Sequence, residues 1–475
     1  MLTTSPAFKE NAHRALADAG LQKALAVSGA HFVGRRAAAI AALPEFERLR
    51  DIGRDIKNHT LAHLDFYLEA FESRVLRAGG QVHWCPTAED ARAAVLEICR
   101  SAGARTVTKG KSMISEELEI NDHLERNGIQ PFETDLGEYI IQLRHESPSH
   151  LIAPAFHLNR EDWEAQFRRS HTDLPADRPL KERRDILAEA RTKLRERFLV
   201  ADVGITGANF LIAETGSSVI VTNEGNGDLT QTLPRVHIVL ASIEKVVPTL
   251  EDCTSLLRLL ARSGTGQEFS VYTTFSTGGR RPGDLDGPEE YHVVLVDNGR
   301  SAMLGTEFQE MLRCIRCAAC INHCPVYGVI GGHAYGWVYP GPMGSVLTPA
   351  LIGVDKAGQL PNATTFCGKC ESVCPVKIPL PKMMRHWRER EFERHLTPAT
   401  YRNNLTLWAW FAKRPSAYRA ATRMAVATLA SLGRKRGRFA SLPMGGNWTT
   451  GRDMPAPEGE TFFTRYARAQ RERRL

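Results

Sequence analysis

Cys314-Ile315-Arg316-Cys317-Ala318-Ala319-Cys320-Ile321-Asn322-His323-Cys324-Pro325 sets three cysteines at two-residue gaps and a fourth after a three-residue gap, directly before proline. A second run, Cys367-Gly368-Lys369-Cys370-Glu371-Ser372-Val373-Cys374-Pro375, repeats the Cys-Pro ending. Three thiolates at two-residue gaps can wrap a cubane, each reaching a different iron. The cysteine before proline turns away and ligates the other cluster, as in two-cluster ferredoxins. The spacing therefore assigns Cys314, Cys317, Cys320 and Cys374 to cluster I, a four-iron cluster, and Cys324, Cys367 and Cys370 to cluster II. Zinc also takes thiolates from paired C-x2-C motifs, but its sites rarely need a third cysteine at the same gap and a fourth before proline.

The second run is one cysteine short. A mirrored copy of the first would place its leading cysteine at position 364, which is Thr364. A hydroxyl is a poor ligand for iron that prefers thiolate. Cluster II is thus expected to be a 3Fe–4S cluster, or a 4Fe–4S cluster with an incomplete cysteine set completed by water or another non-cysteine ligand. Cys85, Cys99 and Cys253 are the remaining cysteines of the ten. One of them could be borrowed, but all three read better as buried structural residues. Between the runs, residues 327–351 form a glycine- and aromatic-rich loop expected to cover the clusters and exclude water. His333 in this loop has no fixed spacing to the cysteines and reads as a packing or hydrogen-bonding residue rather than a ligand.

Outward from the cysteines, the chain changes character on both sides. Residues 15–27 and 61–76 carry apolar positions at three- and four-residue spacing, so residues 1–69 read as a helical segment. Residues 70–300 follow a βαβ rhythm, which argues for a parallel sheet with helices on its faces. Strands are expected at 81–85, 105–108 and 130–133, with helices at 87–100 (opened by Thr87 and Asp90) and 115–126. Further strands are expected within ANFLIAET, SSVIVTN, HIVLASI and YHVVLVD, with turns at Asn226-Gly227 and Gly278-Gly279. An amphipathic helix, TEFQEMLRCIRC at 306–317, should lead into the cysteine domain of residues 301–390. Residues 391–475 form a basic helical tail.

Charge follows the same division. The net +7 conceals 20 Lys and Arg against 7 Asp and Glu from Lys382 onward, leaving the rest of the chain acidic. A basic tail on an acidic body does not describe a nucleic-acid-binding protein. Residues 405–432, with Trp408, Trp410 and Phe411, suit docking on a partner, with peripheral contact to an anionic membrane as the alternative; Pro415 divides the pattern. The opening residues lack the apolar core of a secretory leader, and no run of eighteen apolar residues occurs, so a cytoplasmic protein is expected.

Two glycine-bearing turns in the α/β region are candidate ligand sites. Lys109, Gly110 and Lys111 stand between a strand and a helix, where backbone amides and lysines can hold an anion. The spacing is not that of a Walker loop. The other turn, GITGANFLIAETGSSVIVTNEGNGD, contains Gly207 and Glu214. No flavin or nicotinamide fingerprint is present.

KGKSMISEE, ETDLGEYIIQL, GITGANFLIAETGSS and HIVLASIEKVV, followed by the ferredoxin-type cysteines, resemble the lactate utilization iron–sulfur protein (LutB) family over about residues 60–475. The resemblance implies a LUD domain of the NagB/RpiA/CoA-transferase-like α/β fold across residues 70–300, followed by an α-helical ferredoxin-like module. It further implies an electron-transfer subunit in a three-component system oxidising L-lactate to pyruvate, with a cysteine-rich LutA-like protein and a LutC-like LUD protein as partners. Transferases of the wider superfamily can use a glutamate nucleophile, which makes Glu214 a catalytic candidate, although Ala213-Glu214-Thr215-Gly216 lacks the expected elbow. The competing readings are a self-contained enzyme binding an acyl or phosphorylated ligand, with regulatory clusters, and an assembly scaffold.

Overall fold

Strands rich in valine and isoleucine without polar alternation must be covered on both faces. The computed structural model places them in the middle of a six-stranded parallel sheet; it describes residues 3–110, 112–442, 445–446, 449 and 451–473. The strands in chain order are β1 (Gln81–Cys85), β2 (Thr106–Gly110), β3 (Gln130–Glu133), β4 (Val203–Gly207), β5 (Phe210–Ile212), β6 (Ser217–Thr222), β7 (Val236–Ser242), β8 (Val246–Val247), β9 (Tyr272–Ser276) and β10 (Glu290–Val296). The parallel sheet runs β1-β10-β7-β4-β2-β3, and a second, mixed sheet runs β8-β5-β6-β9. Register is continuous through the centre: Val236–Ser242 pairs with Glu290–Val296 on one side, and Val203–Gly207 with Val236–Leu240 on the other.

Successive residues of the central strands divide between two cores, as the two-residue period requires. Ile238, Leu240, Val294 and Val296 pack with Val95, Cys99 and Leu124, whereas Val239, Ala241, Val293 and Leu295 pack with Leu64, Leu68, Phe71 and Val75. The second group lies along the helix Leu64–Arg77, so the boundary expected at residue 70 falls inside one continuous element of the α/β domain. Thr87 and Asp90 form a reciprocal capping box at the start of helix Ala88–Ser101, worth about 1 kcal/mol.

Several elements differ from the sequence expectation for identifiable reasons. The helix expected at 115–126 is two helices, Met113–Glu117 and Ile120–Arg126, separated by Glu119 in the left-handed region at φ 55°. Asn226-Gly227 does not form a turn between strands; it opens helix Asn226–Thr232, with Gly225 at φ 74° supplying the reversal. The amphipathic helix expected over 306–317 reduces to the 3-10 turn Gln309–Arg313 and then straightens at Cys314.

The chain divides into two compact units, Met1–Arg390 and Glu391–Leu475. Within the first, a large apolar core joins the N-terminal helices (Leu25, Phe46, Leu49), helix Leu250–Gly264 and the cysteine segment up to Trp387. The second unit contains helices Ala399–Ala412, Pro415–Gly433 and Phe462–Glu472, with a short ribbon pairing Arg438–Phe439 with Met454–Pro455. Pro415 stands at the first turn of its helix, where its missing N–H costs no hydrogen bond. Trp408, Met424 and Phe462 of this unit are exposed. Among the described residues, no helix is long and apolar enough to cross a membrane.

Candidate iron–sulfur centre and the adjoining cleft

An unbroken α-helix would string Cys314, Cys317 and Cys320 along its axis at 1.5 Å per residue, so the chain must bend to bring three thiols around one point. It does so with two left-handed residues, Arg316 at φ 61° and Ala318 at φ 62°, which flank Cys317. Helix Ala319–Asn322 then begins. Fifty residues later the device recurs: Phe366 at φ 53° and Gly368 at φ 75° flank Cys367, followed by helix Lys369–Ser372. Three of these four residues are not glycine, and such conformations cost about 1–3 kcal/mol each unless the surroundings enforce them. Helix Leu250–Gly264 presses against the first loop so closely that a Cβ on Gly264 would lie 2.6 Å from the Cys317 carbonyl oxygen.

These loops collect the thiols into two groups. Cys314, Cys317, Cys320 and Cys374 line one small cavity walled by Leu151, Met343 and Val376. Cys324 lies within electrostatic range of Cys367 and Cys370, and Cys320 of Cys370. Backbone N–H groups point at the sulfurs before each proline: Tyr327 N donates to Cys324 Sγ at 3.5 Å, and Ile378 N to Cys374 Sγ at 3.4 Å. Burial pushes the Cys317 and Cys370 thiols up to about 12 and Cys374 to about 11. Deprotonation of such groups needs a cation, and iron supplies it when thiolates bind a cluster. An apolar cavity lined by four thiols, with N–H donors aimed at sulfur, suits a 4Fe–4S group.

The second group is built differently. Cys367 is exposed, while Cys324 and Cys370 are buried. The Lys369 N–H, and after it the Thr365 hydroxyl, hold the Cys367 thiol below its usual range. The Thr364 hydroxyl is engaged with the backbone, accepting from Phe366 N at 3.0 Å. The guanidinium of Arg388 covers the Phe366 ring at 4.4 Å.

Around the first group stands a shell of cations that the sequence reading did not identify. Arg50 donates through Nε and Nη2 to the Cys374 carbonyl at 3.0 and 2.7 Å, and Arg36 donates to Val373 O at 2.9 Å. Beneath Cys314 lies a buried network centred on Glu244. Arg300 Nε and Arg316 Nη2 reach its carboxylate at 3.2 and 3.3 Å, and Lys57 donates to its carbonyl. Arg300 also pairs with Glu117 at 2.7 Å, and Tyr339 donates to Glu117 at 2.6 Å. Burial would push the Glu244 carboxyl up, but Arg300, Arg316 and Lys245 outweigh it and hold the group at about 2. Burial brings Lys57 and Lys245 down to about 8. A trace of this network was present in HIVLASIEKVV, where Glu244-Lys245 interrupts an apolar run; adjacent charges in a buried strand end require partners.

A cleft of about 770 Å³ opens beside this shell. It lies at the carboxyl ends of β2, β4 and β7, and includes the point between β2 and β4 where successive connections diverge along the sheet. Open α/β sheets bind ligands at such points. Gly207 and Asn209 line it from β4, Ser242 and Lys245 from the end of β7, and Arg316, Cys317 and Tyr339 from the cysteine segment.

Among the described residues singled out as anion-site or catalytic candidates (Lys109, Gly110, Gly207 and Glu214), Gly207 alone lines this cleft. The Lys109 side chain is not available to an anion: it is buried, at 2.5 Å from Glu116 and 2.7 Å from Glu133. Despite its burial, the carboxylates of Glu116 and Glu133 raise the ammonium above the usual lysine range. Gly110 closes β2 against Thr230 and Thr134, and Lys111 lies outside the described residues. Glu214 is exposed and accepts a hydrogen bond from Leu250 N at 3.0 Å, which makes it a cap for helix Leu250–Gly264. His333 bonds the Ser147 carbonyl at 2.7 Å and stacks edge-on with His157. Cys85, Cys99 and Cys253 are all buried thiols in apolar cores.

Comparison with known proteins agrees with this architecture. Residues 68–296 match the LUD domain family, and residues 310–378 the 4Fe-4S dicluster domain family. The chain is 40% identical over 464 residues to lactate utilization protein B of Lysinibacillus sphaericus, covering 97% of each chain. It is 41% identical over 470 residues to lactate utilization protein B of Shouchella clausii, covering 98% of this chain and 97% of that one. The corresponding protein of Macrococcus caseolyticus is 43% identical over 424 residues, 88% of each chain. A solved DUF162 family protein from Deinococcus radiodurans aligns with 49% of this chain and 98% of its own at 15% identity and a TM-score of 0.29, too distant to bear on the argument. A LUD domain, a dicluster iron–sulfur segment and 40% identity over 97% of the chain together place it in the lactate utilization protein B family.

Proposed function

We propose that this chain is the iron–sulfur electron-transfer component of a multiprotein system oxidising L-lactate to pyruvate. In this reading Cys314, Cys317, Cys320 and Cys374 hold a four-iron cluster, and Cys324, Cys367 and Cys370 hold a three-iron cluster or a four-iron cluster lacking one thiolate. The observation that supports it is the repeated left-handed loop around Cys317 and Cys367, with four of the thiols lining one cavity and Cys324 within electrostatic range of Cys367 and Cys370. Clusters bound there supply one-electron carriage. The residues around them do the rest: Arg50 and Arg36 tie Cys374 and Val373 to the N-terminal helices, apolar side chains exclude water from the first group, and Cys367 brings the second to the surface.

Conversion of lactate to pyruvate releases two electrons and two protons, so a relay of single electrons needs partners. A LutA-like cysteine-rich protein and a LutC-like LUD protein are the partners proposed, in the cytoplasm. The exposed Trp408, Met424 and Phe462 of the basic tail are offered to them, with an anionic membrane surface as the competing site. The enzyme reading built on Glu214 has no support, since that carboxylate caps a helix.

Anaerobic purification of the full chain, with iron and sulfide assays and electron paramagnetic resonance, tests the reading. About seven or eight irons per chain are expected, and Thr364→Cys should convert a three-iron signal into a four-iron one. A protein without acid-labile sulfide would sink the proposal.

A further inference from the structure

The cleft beside Cys317 is lined by two kinds of side chain. Some are aromatic: Phe32 and Phe156 stack at 6.1 Å, and Trp163 also lines the cleft. Others are polar or charged: Lys245, Arg316, Arg183 and Asn209, with Asp135 and Glu224 also in the lining. Arg316 divides its charge between the Glu244 carboxylate and the Tyr339 ring. Lys245 does not: it is 9% exposed, yet among the described residues its ammonium makes no hydrogen bond or ion pair. Its neighbour Glu244 is already engaged by Arg300 and Arg316. Glu244 and Cys314 act on Lys245 only through space, and a nearly buried ammonium lining a cavity with no direct hydrogen-bond acceptor costs free energy that an anion in that cavity would offset. A second polar group there is also unmet, the buried Thr222 hydroxyl. Asn209 uses its carbonyl oxygen to accept from Val221 N at 2.9 Å, leaving its amide nitrogen as a donor toward the cleft.

We propose that this cleft binds an organic anion, with its carboxylate or phosphate on Lys245 and Asn209 and its apolar body along Phe32, Phe156 and Trp163. The wall that includes Cys317 brings such a ligand beside the first thiol group, where a molecule able to exchange electrons would need to be. The cleft occupies the ligand position of an open α/β sheet, and about 770 Å³ falls within the range for small molecules and cofactors. Two sources share this chemistry: the hydroxy acid or its keto product, which present a carboxylate, and a phosphate-bearing redox cofactor. The choice of lactate as a probe rests on the proposed function.

The experiment uses the cluster-loaded full chain. L-lactate, pyruvate and flavin mononucleotide are titrated separately against tryptophan fluorescence and by calorimetry. Saturable binding of lactate or pyruvate identifies the carboxylate source, and binding of flavin mononucleotide the phosphate source. In either case Lys245→Met should weaken binding at least tenfold and Lys245→Arg should restore most of it. Asn209→Asp keeps the Val221 acceptor and the side-chain shape while adding a negative charge, so it should weaken binding by a similar factor even if Lys245→Met folds poorly. No saturable binding of any of the three, or binding indifferent to both substitutions, overturns the proposal. Iron and sulfide content measured on the same samples keeps that failure separate from failure of the cluster assignment.

Discussion

Cys317 and Cys367 each stand between two left-handed residues, yet Cys317 is 8% exposed, while Cys367 lies on the surface. The same local backbone thus serves two environments. Around the first group, Arg36, Arg50, Lys57, Lys245 and Arg316 lie within electrostatic range of its thiols. Positive charge near a cluster favours its reduced, more negative state. The second group has Lys369 alongside Cys367, and Thr364 three residues before that cysteine. What differs is the shell, which the N-terminal helices and the end of β7 supply to one group alone.

The largest expected effect is loss of one group without the other. Cys317→Ala should remove about half the iron while leaving the signal from Cys324, Cys367 and Cys370 in place. Unchanged iron would show that the ligand sets are wrong. Next comes the ion network under Cys314. Glu117→Gln leaves the fully buried Arg300 short of its main partner and should cost about 3–5 kcal/mol, read as a lower thermal midpoint. The surface counterpart, Thr365→Ala, should change stability by no more than about 0.5 kcal/mol.

Acid should weaken the interior as well. Burial holds His237 on β7 at about 3, well below its ordinary range, and its ring bonds the Thr206 hydroxyl at 2.8 Å. The unfolded chain takes up a proton near pH 6.5 that the folded chain refuses. Stability from this group is therefore complete above pH 6.5 and lost progressively as pH falls toward 3, by about 2 kcal/mol at pH 5. Denaturant unfolding across that range should show the slope, and His237→Gln should flatten it. The smallest effect is electrostatic tuning: Arg50→Met removes one buried charge next to Cys374 and should move the first cluster to a more negative potential by on the order of 60 mV, a tenfold change for a one-electron couple. A redox titration should find the second cluster unmoved.

Much of this molecule was legible in the order of its residues. The strands Gln81–Cys85 and Gln130–Glu133 lie where alternation and flanking turns put them, and the capping box at Thr87 marks a helix start. Local signals fail where a distant demand overrides them. The pattern of TEFQEMLRCIRC is helical, but wrapping three thiols around one cavity requires the chain to straighten at Cys314 and turn left-handed at Arg316. Lys109 looked like an anion binder because Glu133 was remote in sequence, and only strand pairing brings that carboxylate to 2.7 Å. Arg36 and Arg50 carry no local signal of their role, because both reach carbonyls more than 300 residues away. The glycine at 207 was picked out for its turn chemistry, and it lines the cleft because β4 ends there.

The proposed crossed arrangement would have a consequence for how the protein is made. With Cys374 completing the set begun by Cys314, and Cys324 awaiting Cys367 and Cys370, a ribosome would have to translate the second run before either set was whole. The arginines that clamp Val373 and Cys374 are made more than 300 residues before their acceptors. If those ligand sets hold, a nascent chain stopped before residue 367 presents thiols with no complete set to receive iron.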